Sequence, residues 1–129
     1  MSSLIPSLRR FTASFLVACL AGIGMARVDA AELAFDLKIE HGRVPQNMQL
    51  IRVEQGDVVT LRWRVDRPVV LHLHGYDIEK RVEPGTVGTM TFTARATGRF
   101  PIHVHAAAPS TGGHAAEEAP LVYVEVYPR

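Results

Sequence analysis

The stretch Val58-Val59-Thr60-Leu61-Arg62-Trp63-Arg64-Val65 alternates apolar and polar residues from Val59 onward. Successive side chains of a β-strand point to opposite faces. In that conformation Val59, Leu61, Trp63 and Val65 line one face, and Thr60, Arg62 and Arg64 line the other. The segment is bounded by turn-forming residues, Gln55-Gly56-Asp57 before it and Asp66-Arg67-Pro68 after it. It is therefore predicted to be a half-buried strand. The pattern continues in both directions. Leu33 to Glu40 alternates in the same way, with Leu33, Phe35, Leu37 and Ile39 directed to a core. Met48–Val53, Val69–His74, Tyr76–Val82, Val87–Ala94, Phe100–His105 and Leu121–Tyr127 also read as short strands, separated by Gly, Pro, Asn or Asp turns. Met48 and Met90 fall in strand registers and are expected in the core. No window has a helical period and there is no internal repeat. Seven or eight short strands with turns roughly every 8–12 residues predict an all-β fold, an antiparallel Greek-key β-sandwich.

The N-terminus reads differently. Arg9 and Arg10 precede a 12-residue apolar run, Phe15 to Ala26, and Val28-Asp29-Ala30 supplies small residues at the spacing of a signal-peptidase cut. These are the three parts of a secretory signal peptide. The run is too short to span a bilayer. Residues 1–30 are expected to be removed by a cut after Ala30 or Ala31, leaving one domain, 31–129, with no transmembrane segment. A periplasmic or secreted location follows. An alternative is a lipoprotein: Leu16-Val17-Ala18-Cys19 matches that processing pattern and would leave an anchor at Cys19. Removing 1–30 takes away three of the 14 basic and one of the 13 acidic residues, so the mature domain carries about −1 with neutral His. No basic stripe remains to follow a phosphate backbone, and no nucleic-acid partner is expected. Cys19 is the only cysteine, so the ordinary cut leaves neither a disulfide nor a thiolate ligand.

Four of the six histidines form two pairs, His72-Leu73-His74 and His103-Val104-His105. Each pair lies in a predicted strand, so each places two imidazoles on one face. In the first strand Val69, Leu71 and Leu73 take the core face. In the second, Phe100, Ile102 and Val104 do. The histidines then point outward, near Gly75 and near an Ala-rich loop, Ala106 to Ala119. Pro101 has no N–H, so its strand is an edge there or its nitrogen faces out of the ladder. One such pair alone is usually just two solvated polar residues. If the two strands are neighbours, the two pairs bring four imidazoles together, a cluster suited to copper or zinc. His114 in the loop is a further candidate ligand. Glu117 and Glu118 could add a carboxylate. His41, beside Gly42, reads as a structural or solvated turn residue. There is no nucleophile constellation, phosphate-binding Gly loop or paired-carboxylate signature.

These residues carry a resemblance to a known family. Ile51 to Leu61 resembles the strand-turn-strand opening of cupredoxin-like domains. Val82-Glu-Pro-Gly-Thr86, Thr91-Phe92 and Gly98-Arg-Phe100 resemble their later turns and strands. The likeness runs roughly from Phe35 to Val126. His72-Leu-His-Gly75 is similar to the first copper motif of multicopper oxidases, and Gly98-Arg-Phe-Pro-Ile-His-Val-His105 to the second. His74-Gly75-Tyr76 resembles the His-Gly-aromatic start of binuclear copper domains. In the oxidases such pairs feed a three-copper cluster. The departures are equally informative. Without a Cys in the mature chain a type 1 blue site is excluded. Without the two further histidine motifs, one chain cannot complete a three-copper cluster.

The resulting expectation is an exported copper-binding protein, with zinc as the alternative metal. His72, His74, His103, His105 and His114 would be the ligands. Its role would be copper binding, delivery or tolerance, with a copper-handling protein as a candidate partner. Two alternatives stay open: a metal-dependent oxidoreductase or subunit whose site oligomerisation completes, and an interaction domain with solvated histidines.

Overall fold

The computed structural model describes residues 29–106 and 119–129. Alternating apolar residues build eight strands in two sheets. One sheet contains β1 (Glu32–Ile39), β3 (Val58–Val65) and β6 (Gly88–Thr93), in the order β1-β3-β6. The other contains β2 (Leu50–Glu54), β4 (Val69–Leu73), β5 (Ile78–Val82), β7 (Gly98–Ala106) and β8 (Val122–Tyr127), in the order β2-β8-β7-β4-β5. The fold is an all-β sandwich, as the alternation predicted. Trp63, Leu61, Leu71, Leu73, Ile102, Val122 and Val124 are sealed between the sheets. Met90 is buried with them. Burying each such side chain stabilises the fold by about 1.5–3 kcal/mol.

The direction of the strands departs from expectation in two places. β1 pairs with β3 in parallel, and β2 with β8 in parallel; the other pairings are antiparallel. Parallel neighbours need a long connection. Here β2 crosses to the opposite sheet before the chain returns as β3 beside β1. Alternation of side chains reports which residues face the core and is blind to strand direction.

Two boundaries also differ. Met48 lies in a short 3-10 turn, Gln46–Met48, before β2, where its N–H donates to the Pro45 carbonyl. It packs against the core only partly buried. β5 begins at Ile78 rather than Tyr76, because Gly75 (φ 85°) and Asp77 (φ 53°) hold the chain in a turn. Among the described residues no helix is long and apolar enough to cross a membrane.

Candidate metal centre

Both His-x-His segments lie in the five-stranded sheet, and their strands are neighbours. β4 pairs antiparallel with β7, placing His72 directly opposite His103 and Val70 opposite His105. Leu71, Leu73 and Ile102 turn inward and are fully buried. The alternate positions, His72, His74, His103 and His105, share the outer face. The side chain of His72 is 24% exposed, and His103 is likewise half-buried, while His74 and His105 are exposed.

β7 lies inside the sheet, between β8 and β4, so Pro101 is not at an edge. Its carbonyl accepts the His74 N–H at 3.0 Å. The reciprocal bond is the one a proline cannot make. It falls where β4 ends, so the missing N–H leaves the ladder intact up to Leu73 and releases His74 into the turn.

The rings crowd one another. The centroids of His72 and His74 are 4.1 Å apart, those of His74 and His103 4.7 Å, and those of His72 and His105 6.5 Å. Loss of hydration pushes the His74 pKa down, and the neighbouring His72, His103 and His105 add to the effect. His74 is thereby held in the neutral form that a metal ion requires. The rings meet tilted or edge-on. Among the described residues no group of three or more His, Cys, Asp or Glu side chains is arranged as a metal ion would need.

Two acidic neighbours escaped the sequence reading. The Asp77 carboxylate lies 3.7 Å from His72 Nε2. Glu79 on β5 stands directly opposite His72, so Glu79, His72 and His103 form one rung across three strands. The signal was the turn after His74: a hairpin there folds the next strand back along β4. His114, Glu117 and Glu118 lie outside the described residues. His41 sits in a turn (φ 53°) and donates its N–H to Asp66 Oδ2 at 2.7 Å, the structural role expected of it.

Gly75 and three aromatic rings support the end of β4. Tyr76 packs against Phe92 and Phe100 with centroids 4.8 and 4.9 Å apart. A Cβ on Gly75 would come within 2.4 Å of Phe100 Cδ1, at a φ of +85° that side chains disfavour. Gly75→Ala is expected to lower stability by about 1–3 kcal/mol, read as a lower urea midpoint. It should also shift the His74 ring resonances, because His74 is the adjoining residue.

Several solved structures are similar to this fold. A multicopper oxidase, mgLAC, is 24% identical over 77% of this chain with a TM-score of 0.56. A blue copper oxidase from Nitrosomonas europaea is 23% identical over 76% with a TM-score of 0.53. A Cu-containing nitrite reductase from Thermus scotoductus is 24% identical over 77% with a TM-score of 0.53. The fold is cupredoxin-like. These similar structures are copper proteins, and the chain spans only 40%, 39% and 28% of their lengths. No family model and no curated protein matches the sequence.

Proposed function

We propose that this cupredoxin-like domain is an exported copper-binding protein that holds the metal on the outer face of its five-stranded sheet. The observation that carries the reading is the β4–β7 register, which stands His72 against His103 and gathers four imidazoles. Their chemistry fits the metal. Nitrogen donors without a thiolate favour Cu(II), with zinc as the competitor. The strands fix the Cα positions, so binding needs only side-chain rotations that aim the nitrogens at one point. The exposure of His74 and His105 leaves room for those rotations. His114 would be a further ligand. The role is copper binding, delivery or tolerance outside the cytoplasm, with a copper-handling protein as donor or acceptor.

The test is metal analysis with electron paramagnetic resonance on the purified protein, beside a variant with His72, His74, His103 and His105 all changed to Ala. About one copper per chain, lost in the variant, is expected. Equal copper retention by the two proteins sinks the reading. A second reading follows from the openness of the face. A second subunit, apposed to it, could complete the ligand set, and copper-dependent dimerisation would distinguish that case.

A further inference from the structure

The second cluster of ionisable groups lies away from the histidines, where the start of β1 meets the turn between β2 and β3. Asp57 is 3% exposed and is the only buried polar or charged residue among those described. Its Oδ2 accepts the Glu54 N–H at 2.9 Å. Its Oδ1 accepts Arg129 Nη2 at 2.6 Å and the backbone N–H of Ala31 at 3.1 Å. Arg129 also reaches Glu54 Oε2 at 3.1 Å and the Asp29 carbonyl at 2.9 Å. Ala31, Glu54, Asp57 and Arg129 line one open cleft together with Arg52 and Tyr127.

Ala31 is a residue at which the sequence allows the exported chain to begin. We propose that the cleft is a receptor for the chain's own processed N-terminus: cleavage between Ala30 and Ala31 creates an α-ammonium at Ala31 that pairs with the buried Asp57 carboxylate. In the precursor the same nitrogen is an uncharged amide donor. Hydrolysis of the Ala30–Ala31 bond leaves the carboxylate on the departing peptide and the new amine, protonated, on the domain. Asp57 and Glu54 then face two cations, the ammonium and Arg129, and the cluster becomes charge-balanced. Arg52 is occupied elsewhere, by Glu125 at 3.4 Å. The geometry also chooses between the two candidate cuts. The Ala31 carbonyl accepts the Val58 N–H at 2.8 Å, so a cut after Ala31 would remove both a donor to Asp57 and an acceptor from β3.

A charge-assisted hydrogen bond is roughly twice as strong as a neutral one, so processing tightens the closure of β1 on the sandwich. The sign with pH follows. An ammonium held by a carboxylate has its folded pKa raised above the usual 7.7–8.0 or so. Its contribution is complete below that range and disappears as pH rises through the raised value.

The experiment has two arms. The full-length precursor is expressed with its leader and the exported product's N-terminus is sequenced; Ala31 is expected, and a product beginning at Cys19, Glu32 or any other residue overturns the proposal. Protein beginning at Ala31 with a free amine is then compared with the same protein N-acetylated at Ala31, which keeps the N–H but not the charge. The free-amine form should melt about 4–8 °C higher at pH 6, with the gap closing at high pH. Its amine should react with an acylating reagent about tenfold more slowly than that of the unfolded chain, which corresponds to a pKa raised by one unit. Equal melting and ordinary amine reactivity would overturn it. Copper plays no part in either readout.

Discussion

Asp57→Ala is expected to remove about 3–5 kcal/mol of stability, a large fraction of the roughly 5–15 kcal/mol available to a small domain. The carboxylate gathers donors from three separate segments: Glu54 at the end of β2, Ala31 before β1 and Arg129 after β8. Truncation leaves the Glu54 and Ala31 backbone N–H groups without this acceptor, and leaves the Arg129 guanidinium paired with Glu54 alone among the carboxylates. Replacing Asp57 by Asn should cost less, because one amide oxygen can still accept. The effect has a defined pH signature. The Glu54 N–H, more than the Ala31 N–H or Arg129, holds the Asp57 pKa below its ordinary value against the opposing cost of burial. A carboxyl with a lowered folded pKa contributes stability above its unfolded value of about 3.9 and loses it as pH falls through the folded value. Urea midpoints of the wild type and Asp57→Ala should therefore differ most at neutral pH and converge in acid. A constant gap from pH 7 to pH 2 would show that Asp57 acts through packing rather than charge.

This cluster was illegible in the sequence, and the reason is physical. Gln55-Gly56-Asp57 reads correctly as a turn, but a turn aspartate is ordinarily solvated. Its burial depends on Arg129 arriving from 72 residues away, and no local pattern encodes that. The two sheets and the inward faces of β3, β4 and β7 were legible because alternation is local, and the burial of Trp63, Leu71 and Ile102 follows it. Likewise, the outward direction of the histidines was legible from Leu71, Leu73 and Ile102. Strand direction was not, since β1∥β3 and β2∥β8 depend on which sheet the intervening strand enters. Nor were Asp77 and Glu79, which come beside His72 only because the turn at Gly75 folds β5 back in register with β4.

The rung from Glu79 through His72 to His103 gives the copper reading its sharpest test. If the four imidazoles hold the metal, their changes should not be equal to those of their neighbours. His72→Ala or His103→Ala removes a nitrogen from the directly opposed pair and should weaken copper binding by more than about 100-fold. Asp77→Ala and Glu79→Gln remove only carboxylates that can orient His72, and should weaken it by about 10–100-fold or less. His41→Ala, in its separate turn, should leave binding unchanged. Competition titration against a chelator of known affinity measures all five. The pH dependence carries a second signature. Ligation needs neutral imidazole, so protons compete for an ordinary histidine once pH falls below about 6.5. Desolvation, with the charge of the neighbouring histidines, keeps the His74 pKa lower than that, so His74 should stay available to the metal below that pH. The same shift penalises the folded apo-protein in acid. Protonating His74 costs the folded state more than the unfolded one, so its destabilising effect sets in as pH falls through about 6.5. His74→Ala should therefore weaken copper at neutral pH while flattening the acid loss of apo-protein stability. A His74→Ala variant that flattens the acid profile yet keeps its copper affinity would place the metal on the other three histidines.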